Sequence, residues 1–185
     1  MSIKYKFSNP DALYFITFAT VGWIDIFTRA IYKELLVESF RYCVKEKGLV
    51  IHGYVIMSNH VHMIVGRKGD STLSEIMRDL KKFSSVRVIK EIIQNPEESR
   101  KKWILYLLAQ AGKANNNNTH YQLWQQDNHP IELDNNTNLF DQKLNYIHQN
   151  PVTAGWINEA SAYIYSSASN YNGFGGVLNE VDVLY

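Results

Sequence analysis

Met57-Ser58-Asn59-His60-Val61-His62-Met63-Ile64-Val65 is the stretch on which the fold of this chain turns. Two apolar runs, Leu49 to Met57 and His60 to Val65, are separated by Ser58-Asn59 alone. Strands joined by so short a turn form an antiparallel hairpin. Alternate side chains of a strand share a face. His60 and His62 therefore point the same way, with Cα atoms roughly 6–7 Å apart. Val61, Met63 and Val65 point the other way, into a core. Two imidazoles on one face, backed by an apolar face, can grip a metal ion, and the same pattern also suits a solvated polar surface. What else converges on the pair decides between them.

Upstream, Leu13 to Thr20 is aromatic and β-rich, bounded by Asn9-Pro10-Asp11 and Gly22, and predicts a first strand. From about Thr28, residues Ile31, Leu35, Leu36, Phe40 and Val44 recur at helical spacing, and Gly48 follows Lys45 and Lys47 as a stop signal. Downstream, Thr72-x-x-Glu75 forms a capping box. Leu73, Ile76, Met77, Leu80 and Phe83 make the apolar stripe of the next helix, which Asn95-Pro96 ends. Arg78, Lys81, Lys82 and Ser85 share a neighbouring stripe. They read either as a solvated face or as a phosphate-binding strip, since lysine and arginine dominate contacts to the nucleic-acid backbone.

Glu98 to Ala111 reads as an extra short helix, and Gly112 to Thr119, with four consecutive asparagines, as a loop. Tyr121 to Leu133 holds a fourth strand or edge segment. A last helix is expected from about Thr137 to Asn150, stopped by Pro151 because the residue before proline avoids the α region. The order β-α-β-β-α, then β and α, predicts an α+β fold: a ferredoxin-like antiparallel sheet with helices on one face and a site on the other. Residues 1–185 read as one domain, with an insertion at 95–120 and an irregular C-terminal tail from about 168.

With 185 residues, 45% of them hydrophobic, the chain can build a full core. A net charge of +1 argues against an acidic tail or a wholesale basic surface, so any nucleic-acid site must be a local patch. The single cysteine, Cys43, excludes an internal disulfide and a Cys-rich zinc site. Neither a signal peptide nor a membrane span is visible, which predicts a cytoplasmic protein with no membrane partner. A zinc hydrolase lacks support, because there is no His-Glu-x-x-His motif and no acidic base beside the histidines.

The terminal helix offers Tyr146 and Asn150, four residues apart and so on one side. A tyrosine hydroxyl, with a pKa of about 10, can attack phosphorus once deprotonated or aligned in line, and a metal ion assists by polarising the phosphate. An asparagine carbonyl oxygen is a hard ligand suited to Mg²⁺ or Mn²⁺. Among twelve tyrosines, a helix aromatic packed in the core is the default reading of Tyr146.

Met57 to His62 resembles the His-hydrophobic-His signature of single-tyrosine ("HUH") transposases. Tyr146-Ile147-His148-Gln149-Asn150-Pro151-Val152-x-Ala154-Gly155 resembles their tyrosine helix, in the form of the REP-associated branch. Leu73 to Lys81 is similar to the family's middle helix, Gln122-Leu123-Trp124-Gln125 to its tryptophan-glutamine segment, and Tyr165-Ser166-Ser167 to its closing serine pair. The resemblance implies an RRM-like fold and cleavage of single-stranded DNA, with hairpin structure, through a 5′-phosphotyrosine link. Tyr146 would be the nucleophile. His60, His62 and Asn150 would hold a divalent metal, Mg²⁺ or Mn²⁺, and Arg78, Lys81 and Lys82 would be candidates for DNA contacts. A homodimer is one arrangement, since Tyr146 could act in its own subunit or a partner's. Ser58 stands where relatives commonly carry proline, and Thr153 where they carry a basic residue; neither change removes a catalytic group. Two other functions remain open: a replication-initiator or relaxase-like nickase, and a non-catalytic or domesticated hairpin-binding protein. His52, His120, His129 and His148 read as structural or surface residues. The tryptophans Trp23, Trp103, Trp124 and Trp156 read as packing groups, with a base-stacking platform as the alternative for one of them.

Overall fold

The computed structural model describes residues 7–115, 120–133 and 137–184. Among these residues the strands and α-helices follow in chain order: β1 (Leu13–Ala19), α1 (Ala30–Lys47), β2 (Leu49–Ile56), β3 (His60–Arg67), α2 (Leu73–Gln94), α3 (Lys101–Lys113), β4 (Ile131–Leu133), α4 (Thr137–Thr153) and α5 (Ala168–Tyr171). The four strands form one antiparallel sheet in the order β2-β3-β1-β4. This is the ferredoxin-like arrangement expected from the hairpin and its two flanking helices. The asparagine run is only partly visible: residues 116–119 lie outside the described residues. Among the described residues no helix is long and apolar enough to cross a membrane.

One sheet face is apolar because β1 and β3 alternate in register. Tyr14, Ile16 and Phe18 face the same side as Val61, Met63 and Val65, all buried. Tyr54 and Ile56 of β2 continue that surface. The helices α1 and α2 cover it. Phe40 of α1 packs edge-on against Tyr54, and Lys81 of α2 reaches over the Phe18 ring. Gly48 ends α1 at φ +74, and a Cβ there would lie 2.1 Å from the Lys68 carbonyl oxygen, so only glycine fits. The capping box at α2 forms as expected, with Thr72 Oγ1 accepting from the Glu75 N–H and Glu75 accepting from the Thr72 N–H.

The opposite face carries the histidines, together with Phe15, Thr17 and Ala19 of β1. It is not bare. α4 lies across β2 and β3 on this side, and a Cβ at Gly53 would sit 2.8 Å from Leu144 Cδ1. A hydrogen at that position is what lets the helix approach. The expected stop at Asn150 is overturned, because α4 runs on to Thr153 with Pro151 inside its last turn. Proline forfeits one ladder bond. The glycine cap offsets that loss: Gly155, at φ +73, donates to the Val152 carbonyl and Trp156 to that of Pro151, the paired bonds of a Schellman motif. The free edge of β2 is closed by Tyr163–Ser167, whose Tyr165 carbonyl accepts from Ile56 and whose Ser167 N–H donates to Tyr54.

Candidate active site

His62 is the centre of the site. Strand register sets Thr17 beside it, and their side chains meet at 2.7 Å, Thr17 Oγ1 to His62 Nδ1. His62 Nε2 lies 3.4 Å from the Tyr146 hydroxyl. Phe15 stacks on the His62 ring and touches Tyr146 edge-on, so it holds both. The imidazoles of His60 and His62 are 4.7 Å apart, centroid to centroid.

A neighbouring amide assigns the tautomer of His60. Asn59 Nδ2 donates to the Trp23 carbonyl, which turns Asn59 Oδ1 toward His60 Nδ1 at 2.7 Å. An amide oxygen only accepts, so His60 Nδ1 carries the proton and Nε2 keeps its lone pair. Burial lowers the pKa of both rings. That of His62 falls to about 3, through desolvation and then the nearby His60 and Lys143. Two neutral imidazoles on one face are the protonation state that a metal ligand needs.

Tyr146 is not a core aromatic. It is 48% exposed on α4, and its hydroxyl reaches His62 of its own chain. Asn150 sits one turn on and is half-buried. Its backbone carbonyl accepts from Ala154, and among the described residues no hydrogen bond joins its amide to either histidine. No cluster of three or more His, Cys, Asp or Glu that could hold a metal occurs among the described residues. The Asn150 amide oxygen is a hard donor of the kind a divalent ion accepts.

The three α2 cations lie on the other side of the sheet. Lys81 Nζ donates to the carbonyls of Gln125, Gln126 and Asp127, at 2.9, 3.3 and 3.0 Å. Burial there lowers its pKa to about 8. It ties the segment before β4 to α2. Arg78 and Lys82 are exposed, Arg78 beside Asp79. The fold brings Lys143 to the histidine face, where its Nζ stands 4.7 Å from the Phe15 ring centroid. Its spacing three residues before Tyr146 carried that signal. The strand alternation in β1 likewise carried Phe15 and Thr17.

His148, two positions from Tyr146, does point away from the site. Its Nε2 meets Ser167 Oγ at 2.9 Å, pinning α4 to the closing segment, and burial lowers its pKa to about 4. An unfolded histidine titrates near about 6.5. Between that value and the folded pKa the unfolded chain binds more protons, so the stability supplied by neutral His62 and His148 is complete above about 6.5 and is lost as the pH falls. The metal-free protein should melt lower at pH 5 than at pH 7. In His148→Gln that drop should be smaller; an equal drop would show that His148 charges without penalty.

A family model described as "Transposase IS200 like" matches residues 11–121, from before β1 to beyond α3. Tyr146 lies outside the matched span. Among solved structures, the chain is similar to a REP-associated tyrosine transposase bound to a REP hairpin, at 18% identity and a TM-score of 0.63, covering 100% of this chain and 94% of that one. A second similar structure, assigned as a transposase of Deinococcus radiodurans R1, is 15% identical with a TM-score of 0.46, covering 77% of this chain and 94% of that one. No curated protein sequence matches.

Proposed function

Because the chain belongs to the IS200-like transposase family, we propose that it cleaves and rejoins single-stranded DNA through a 5′-phosphotyrosine intermediate, with a divalent metal as cofactor. The observation that carries this reading is the 3.4 Å approach of the Tyr146 hydroxyl to His62 within one chain. Tyr146 Oη attacks the scissile phosphorus after its hydroxyl gives its proton to water. The P–Oη bond forms, the P–O3′ bond breaks, and the 3′-oxygen leaves as a hydroxyl after protonation. In the second step a 3′-hydroxyl attacks the phosphotyrosine, restoring Tyr146 and closing a new phosphodiester. His60 and His62 would hold Mg²⁺ or Mn²⁺ through their Nε2 atoms, with the Asn150 amide as third ligand, and the bound ion would supply polarisation of the phosphate and offset its charge. Lys143 binds a non-bridging oxygen. Thr17 and Asn59 keep the imidazoles oriented, as partners behind metal ligands do. The DNA partner is a single strand able to form a hairpin, in keeping with the hairpin bound by the similar structure.

Incubation with a hairpin-bearing single strand and Mn²⁺ or Mg²⁺ should yield a covalent protein–DNA adduct on a denaturing gel. A chelator should abolish it. Hairpin binding with no adduct under either metal would instead make the chain a non-catalytic hairpin binder.

A further inference from the structure

The fold separates the tryptophans. Trp124 is buried between Phe18 and Phe27, and Trp156 rests against Tyr163. Trp23 is 53% exposed, and its indole meets the His60 ring at 5.9 Å. Its backbone is unusual. Among the described residues, Trp23 and His129 alone combine a positive φ with a side chain, and Trp23 has φ +55 directly after Gly22 at +59. A bulky residue there is strained and persists only where its surroundings hold it. Here the Trp23 N–H donates to the Thr20 carbonyl, and the Trp23 carbonyl accepts from the Asn59 amide that also orients His60. One asparagine thus couples a metal-facing imidazole to an exposed apolar ring.

Trp23, His60, His62 and Tyr146 follow one another through ring contacts on the site face. In-line displacement places the leaving 3′-oxygen on the far side of the phosphorus from Tyr146 Oη, and Trp23 is the exposed aromatic at the other end of this ring series. Resting on the function proposed above, we infer that Trp23 is a base-stacking platform for the nucleotide on the 5′ side of the scissile phosphate, the one that departs with the 3′-hydroxyl. An aromatic face takes any base, so Trp23 supplies affinity and positioning rather than sequence reading.

The test uses the full chain in chelator, which prevents cleavage. Anisotropy of labelled dT12 is compared with that of an abasic strand of equal length. Trp23→Gly should weaken dT12 binding about tenfold, and Trp23→Phe should retain most of it. Both proteins should bind the abasic strand as the wild type does. Glycine adopts this φ freely, so Trp23→Gly should melt no lower than the wild type, which separates lost stacking from misfolding. Unchanged dT12 binding, or an equal loss on the abasic strand, overturns the inference. Once an adduct maps the cut, an abasic nucleotide immediately 5′ of it should erase the Trp23→Gly effect; erasure from the 3′ side instead overturns the placement. Failure to form any adduct while the dT12 effect persists would remove the catalytic reading and leave the stacking platform standing.

Discussion

Tyr146→Phe should abolish the covalent DNA adduct and leave DNA binding and the melting temperature as in the wild type. The substitution removes one oxygen. The ring keeps its edge contacts with His62 and Phe15. The hydroxyl's bond to His62 Nε2 is long, at 3.4 Å, and its residue is about half exposed, so its loss costs the fold little. Phenylalanine offers no nucleophile, so no phosphoester can form at this position. Gel detection of the adduct, beside an anisotropy titration of the same variant, checks both halves. An adduct that persists would place the nucleophile elsewhere. Loss of binding together with the adduct would make Tyr146 a packing residue.

Glu98→Ala should lower stability by about 3 kcal/mol, or roughly 6–12 °C in melting temperature for a domain of this size. Glu98 is 3% exposed in the connection between α2 and α3. Its carboxylate accepts from Arg29 Nε at 3.2 Å, from the buried Tyr32 hydroxyl at 3.1 Å, and from the Arg100 N–H and Nε, both at 3.1 Å. Removing it leaves two guanidinium groups and a buried hydroxyl without their shared acceptor. Both arginines are about one-third exposed, so water recovers part of the loss, and the figure sits at the low end for a broken buried pair. Burial works to raise the Glu98 pKa, but the Arg100 and Tyr32 bonds hold it below the usual carboxylate value. Its contribution is therefore complete above about pH 4.3, where an unfolded glutamate ionises. It is lost as the pH falls through the folded pKa. The gap between wild type and Glu98→Gln should narrow in acid. A gap that stays constant to pH 3 would mean that the charge is not what stabilises.

The same network reaches the site turn. Arg100 donates to the Asp25 carbonyl, and the Asp25 carboxylate accepts from Ser58, the first residue of the hairpin turn. Nothing in the local sequence around Glu98 announced this. A glutamate in a polar connection has no periodicity, and although Arg100 is two residues on, Tyr32 and Arg29 stand 66 and 69 residues away. Lys81 shows the converse. On the helix it looked like a free cation beside Arg78 and Lys82, and only the packing of the segment before β4 supplies the three carbonyls that take up its ammonium.

By itself the sequence determined what depends on nearest neighbours along the chain. Strand alternation placed His60 and His62 on one face and Val61, Met63 and Val65 on the other; the Ser58-Asn59 turn set the hairpin; and Thr72 with Glu75 set the start of α2. These are effects of backbone period and local hydrogen bonding, legible over a few residues. The resemblance of the tyrosine helix singled out Tyr146. Only the tertiary structure decided that Tyr146 faces His62 of its own chain, because that depends on α4 crossing β2 where Gly53 has no side chain to hold it off. It also decided that Pro151 lies within the helix, since the cap at Gly155 recovers the bonds that proline forfeits. And it set Trp23, held in a strained turn by Asn59, beside His60. Each of these rests on contacts between residues distant in sequence, or on a cap beyond the helix. No period in the chain encodes them.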